Sequence, residues 1–548
     1  MKKCNFSLFI IFIILLILII IPLSFIFVRA VIIDGSFNLG KSLQVIFNNE
    51  NIITIRNSLL LGAGVVTVTT IVAAPLAFIL SKTQLAEYKF LDLVLMIPFM
   101  TPPFISSMGW ILFMQKNGLL NQLIPATKGH TNWFFSFSGL VLVMSFHIFP
   151  FMFTFLKNAM LNINSSLEEA GAVFGASFFE RVRKILFPLL FGNYLIGALL
   201  VFIKTLSEYG TPATLGQRIG FYVFTTDIHR YTTIAPIDFG KSASLSSVLI
   251  SICLIMWYFQ NTITNRKSYK LVSGKGVKNI QIKLSPLKKI LCWGYIVLLL
   301  IFSIGVPYFS VISTSLIKLR GFGLRAGNFT LQHYISLFTE NTNGKDALLT
   351  SVFLAVSSAT IAVILGTLIV IGIRKQKTSM KKFLEGTSLL PEMLPSIVIV
   401  IGIMLFWNSV YKVFPLYNTM GIMVLAYVIL YLPFTIQYVT SSFLQINDNL
   451  IQAGKVFGAS PFYILLHVTL PLLRKGMVVS WIMTFIITFR ELVAASIIAP
   501  PGVLTISTFI VSEFEQGSVS VGMAMAVICI LISTGILFVV KTFLAKFE

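Results

Sequence analysis

Apolar runs of about 20 residues recur along the whole chain, each parted from the next by a shorter polar stretch. A run of that length crosses a hydrocarbon core of about 30 Å as an α-helix, which satisfies its own backbone hydrogen bonds where water is absent. About twelve such runs stand out. In the first half they lie near residues 8–28, 54–80, 91–114, 137–156, 188–206 and 242–262, and in the second near 290–313, 348–373, 384–408, 418–440, 476–498 and 519–541. The pattern predicts an all-α integral membrane protein.

The order of these runs repeats. Residues 170–177 read AGAVFGAS and residues 453–460 read AGKVFGAS, an offset of 283 that also carries Pro150 onto Pro433, Pro188 onto Pro471 and Glu208 onto Glu491. Earlier in each half, Ser58 maps onto Ser351, and Pro98 and Pro102 map onto Pro391 and Pro395, at an offset of 293. The ten-residue difference falls after the third run, where residues 115–136 outnumber their counterparts near 409–417. Six runs per half put both halves on the membrane with the same polarity, a parallel repeat that places a pathway between them. The expected domains are a first repeat over 1–262, a basic cytoplasmic linker over 263–289 holding Ser273, Gly274 and Gly276, and a second repeat over 290–548.

Composition agrees with a bilayer protein and narrows its orientation. Of 548 residues 56% are apolar and only 11% charged, and the mean hydropathy is +0.91. The net charge of +22 comes from 41 Lys and Arg against 19 Asp and Glu. These cations sit in loops instead of on one aromatic-laced face, so nucleic acid is not the expected partner. Eight lie between Arg266 and Lys289 and five between Arg374 and Lys382; with Lys2 and Lys3, they predict both termini inside. Lys41, Lys116 and Arg325 run against the rule. Val28 is not followed by a small-residue cleavage site, so the first run is expected to persist as a helix.

Each half carries one cytoplasmic loop too patterned to be a plain connection. The first has Glu169, Ala170, Gly171, Gly175 and then Pro188, within 165–188. The second has Gln452, Ala453, Gly454, Gly458 and then Pro471, within 447–471. Ser165 or Ser166, and Asn447 or Asp448, are placed to cap a helix. Small residues at 170, 171 and 175 are expected to leave one face open to another protein, and the glycines at 175 and 458 to turn the chain. Pro188 and Pro471 would then open the next span. The spacing resembles the EAA loop of ABC importer permeases, and the layout of two six-span halves resembles their fused, MetI-like form. The resemblance implies that these loops dock two separate ATPase subunits, which alone use ATP and Mg²⁺. It also implies an extracytoplasmic binding protein, a bacterial inner-membrane location and no cofactor on this chain. Gln452 departs from the acidic residue of the pattern, so the second docking contact is expected to be uncharged.

Residues 206–216, LSEYGTPATLG, resemble the fused ferric-iron permeases. Permeases for thiamine, phosphonates and polyamines remain open alternatives. Charged groups at membrane depth are expensive. Glu208 with Tyr209, and Arg490 with Glu491, occupy equivalent places just beyond a span and are candidates for a pathway or gate, unless they pair locally.

Other chemistry is not visible. Gly35–Ser42 fits the phosphate-loop spacing, but it follows a membrane span on the outer side, where no ATP is expected. Cys4, Cys253, Cys292 and Cys529, and His130, His147, His229, His333 and His467, share no metal-ligand spacing. Neither a catalytic constellation nor a metal site is predicted. The rival from another class is an ion-coupled secondary transporter, which needs charge networks within the spans and no paired docking loops.

Overall fold

The computed structural model describes residues 3–33, 36–163, 165–266, 281–339, 342–374 and 378–545. Gly35, Ser273, Gly274 and Gly276 lie outside them. The described residues are helical apart from a two-residue antiparallel ladder, Ile32–Ile33 with Ser36–Phe37, and two isolated bridges. The ladder precedes the helix Leu39–Ile46 and is antiparallel, unlike the parallel strand-to-helix unit that cradles phosphate.

Among the described residues ten helices are long and apolar enough to span a membrane, including Phe9–Val31, Asn49–Lys82, Phe137–Leu161, Asn343–Ile373 and Met420–Leu444. The third run of each half is not a straight span. Phe90–Met100 and Pro103–Met114 meet at 87°, and Met380–Met393 and Ser396–Ser409 meet at 108°. Proline explains both bends. Thr101 and Pro102 each precede a proline and are extended (ψ 138° and 131°), and Pro395 is extended at ψ 134°. Each arm is roughly 17–21 Å long, too short to cross alone.

The chain forms two compact units, neither a contiguous half. One contains Met1–Ile46, Ile228–Ile250 and Leu331–Glu548; the other contains Phe47–Asp227 and Ser251–Thr330. Each unit therefore holds the first span of one repeat with most of the other repeat. The packing is equivalent in both. A Cβ on Gly109 would lie 2.6 Å from the Pro307 carbonyl oxygen, and one on Gly402 would lie 2.7 Å from that of Pro22. Backbones this close admit only glycine. Aromatic rings extend the contact, Trp110 stacking on Phe302 in one unit and Phe25 meeting Phe406 edge-on in the other. Ser and Thr hydroxyls inside the helices return to carbonyls one turn back, as at Thr70, Thr205 and Thr488.

Candidate functional site

In the first patterned loop, the helix Ser165–Val173 ends on Phe174, and Gly175 adopts φ +80°. The amide of Ala176 donates to the Gly171 carbonyl (2.9 Å) and that of Gly175 to the Ala172 carbonyl (3.0 Å). These two bonds are the glycine-closed helix terminus known as a Schellman motif. The second loop repeats it bond for bond. After the helix Asp448–Val456, Gly458 has φ +75°, the amide of Ala459 donates to the Gly454 carbonyl (3.0 Å) and that of Gly458 to the Lys455 carbonyl (3.0 Å). A second arm then starts on a serine cap in each. Ser177 and Glu180 cap each other's amides reciprocally, while Ser460 accepts from Tyr463 at 3.2 Å with Pro461 in the first turn. Asn447 caps the second loop's first helix through the Asn449 amide (3.0 Å).

Two expectations change here. Gly171 and Gly454 face their own second arm: a Cβ on Gly171 would meet the Ile185 side chain at 2.8 Å, and one on Gly454 would meet Ile464 at 3.1 Å. Their smallness closes the elbow instead of admitting a partner. Pro188 and Pro471 do not begin the next span either. The helix is continuous from Phe179 to Ser207 and from Pro461 to Phe489. A wider π turn, Val182–Leu186 or Leu465–Thr469, stands just before each proline and accommodates its missing amide.

What faces outward is apolar. Val173 and Phe174 are 84% and 89% exposed, and Val456 and Phe457 are 84% and 89% exposed. Glu169 lies one turn before Val173, and Gln452 one turn before Val456; both are exposed, as are Ala170 and Ala453. A lone exposed apolar side chain needs no explanation, but here the same pair recurs at the same elbow in both halves. The sequence carries the signal as the shared VFGAS, whose Val and Phe recur with the glycine.

Glu208 and Glu491 fold back on their own chain. Glu208 accepts the Thr211 amide through both carboxylate oxygens (3.1 and 3.0 Å), and its carbonyl accepts from the Thr225 hydroxyl (2.9 Å). Glu491, only 5% exposed, accepts the amides of Val493 (3.0 Å), Ala494 (2.9 Å) and Ala495 (3.3 Å) at the start of the short helix Val493–Ile498. Each carboxylate thus satisfies donors that a helix start leaves open. Buried Tyr209 adjoins Glu208, and Arg490 ends the span before Glu491. The matched serines act alike: the Phe224 amide donates to Ser58 (2.9 Å) and the Ile506 amide to Ser351 (2.8 Å).

Removing the Glu491 carboxylate leaves three amides without it, those of Ala494 and Ala495 buried, so Glu491→Ala is expected to destabilise the fold by about 1–3 kcal/mol. Glu491→Gln keeps an accepting oxygen and recovers most of that. Thermal unfolding in detergent measures both; a gating role alone would alter transport with unfolding unchanged.

The chain resembles known proteins over nearly all of this frame. The ferric transport system permease protein FbpB of Actinobacillus pleuropneumoniae is 25% identical over 495 residues, covering 88% of this chain and 70% of that protein. The Fe(3+)-transport system permease protein FbpB 2 of Haemophilus influenzae is 24% identical over 539 residues, covering 96% and 97%. A Salmonella typhi protein named for 2-aminoethylphosphonate transport is 28% identical over 224 residues, covering 41% of this chain and 84% of its own. The family model described as the binding-protein-dependent transport system inner membrane component matches twice, over residues 67–269 and 358–548, and each match takes in one elbow. With one copy of the elbow and one copy of the family match in each repeat, the chain belongs to the binding-protein-dependent transport system inner membrane components.

Proposed function

We propose that this chain is the fused permease of an ABC importer for ferric iron, driven by two separate ATPase subunits that dock on the elbows at Glu169–Gly175 and Gln452–Gly458. The doubled elbow with its exposed Val–Phe tip carries this reading, because a partner that closes on both tips pulls directly on the continuous helices Phe179–Ser207 and Pro461–Phe489. ATP and Mg²⁺ stay with the ATPase subunits, and this chain holds no cofactor. Both termini and both elbows face the cytoplasm. A loaded binding protein docks outside, the ATPase subunits close, and the helices turn from inward to outward access and back, releasing the cargo inside.

Iron is favoured over phosphonate because the relatives named for ferric transport match nearly the whole chain, whereas the phosphonate-named relative matches 41% of it. The test is uptake of radioactive Fe³⁺ into proteoliposomes holding the chain with its ATPase subunits, with the binding protein added on the outer side. Uptake that requires ATP and resists competition by thiamine, spermidine and 2-aminoethylphosphonate is expected. Uptake that persists without ATP and follows an ion gradient would replace the reading with a secondary transporter.

A further inference from the structure

Two loops of one compact unit break the usual charge rule together. Residues 115–136 and 317–330 carry Lys116, Lys128, Lys318, Arg320 and Arg325 and not one Asp or Glu. The helix Phe137–Leu161 runs from the first of these loops to the first elbow, about 37 Å at 1.5 Å per residue. They therefore lie on the face opposite that elbow, the outer one in the proposed topology, where short loops are ordinarily poor in Lys and Arg. Residues 115–136 are also the stretch by which the first repeat exceeds the second.

The two loops are built into one platform. The Leu324 amide donates to Gln122 Oε1 (2.9 Å), and Gln122 Nε2 donates to the Asn117 carbonyl (3.0 Å). Asn328 accepts the Leu319 amide (2.9 Å) and donates to the carbonyls of Leu319 and Gly323 (2.8 Å each). Between the loops opens a cavity of about 290 Å³, lined by Gln115, Lys116, Asn117, Gln122, Thr314 and Arg320 among others. In the same two loops Ile124, Trp133, Phe322 and Phe329 are each more than half exposed.

We propose that this platform receives an acidic patch of the extracytoplasmic binding protein, with a carboxylate side chain seated in the cavity between Lys116 and Arg320. The proposal rests on the importer reading above. Five cations in two loops that hold no carboxylate of their own repel free Fe³⁺ and attract an anionic surface, so the metal arrives shielded by its carrier. A small anion alone would leave the exposed rings of these loops unused. Exposed Trp and Arg in loops that frame a preformed concavity are the composition of a protein contact.

The test uses the full chain with its ATPase subunits in nanodiscs and the iron-loaded binding protein of the same transport system as probe. Wild-type affinity is expected to fall as salt rises. The exposed pair Lys116→Glu/Arg320→Glu should weaken binding by about tenfold or more, flatten the salt dependence and keep the ATPase subunits bound. The neutral pair Lys116→Gln/Arg320→Gln should fall between. Binding unchanged by reversal and by salt overturns the platform while the importer stands. Unchanged binding in variants that lose a preference for anionic lipid assigns the cations to lipid headgroups and equally overturns it. Absence of both ATPase and binding-protein association from the wild-type chain overturns the importer reading itself.

Discussion

Aspartate in place of Phe174 and Phe457 is expected to strip the ATPase subunits from the chain while leaving it folded in the membrane. Both rings are 89% exposed, so replacing them removes almost no internal packing. Any large effect must come from what covers them in the complex. An aromatic anchor buried at the centre of a protein contact is worth about 2 kcal/mol or more, so each substitution should weaken docking roughly thirtyfold. Co-purification of ATPase subunits with the tagged chain reads the effect, and the thermal unfolding profile shows whether the chain has stayed intact. Full ATPase recovery in the double variant would mean that the elbow tips touch something else, the lipid surface first among the candidates.

The second large effect is expected from Gly175→Val with Gly458→Val. Both glycines have positive φ, +80° and +75°, and nothing lies within 4 Å of where their Cβ atoms would be. Steric conflict with neighbours is therefore absent, and the whole consequence is conformational. A residue other than glycine costs about 1–2 kcal/mol in that left-handed region, and a β-branched one is a poorer fit still. The paired bonds from Ala176 to Gly171 and from Ala459 to Gly454 close the elbow only while that turn holds. ATP-driven uptake should fall about tenfold or more in the double valine variant. Gly175→Asn with Gly458→Asn, which tolerates the same turn, should keep most of it. Equal losses in both pairs would show that bulk, and not backbone strain, is what the elbow rejects.

Much of this organisation is legible from residues alone. AGAVFGAS and AGKVFGAS carry the elbow, Asn447 announces its cap, and Ser58 and Ser351 mark equivalent positions that prove to make equivalent bonds. The bent third runs are not legible from hydropathy, because a window of apolar residues averages across the break; Pro98, Pro102, Pro391 and Pro395 mark the repeat in sequence and the bend only in the structure. The composition of the compact units was also hidden. Hydropathy shows that a run spans a membrane and is silent on which neighbours it packs against, and only the near contact of Gly109 with Pro307 and of Gly402 with Pro22 reveals that choice. The inward face of Gly171 is not legible, because a glycine in sequence does not show which way its missing side chain would point. The carboxylates of Glu208 and Glu491 stood out as charges at depth, and the short helical turns they cap were concealed within apolar stretches.

The measurement that bears most directly on the central claim is the mass of the complex extracted from its native membrane in mild detergent, with its subunits identified by mass spectrometry. One copy of this chain with two copies of an ATPase subunit is the expected result. The intact chain recovered alone, together with iron uptake that continues after ATP is exhausted, would contradict it.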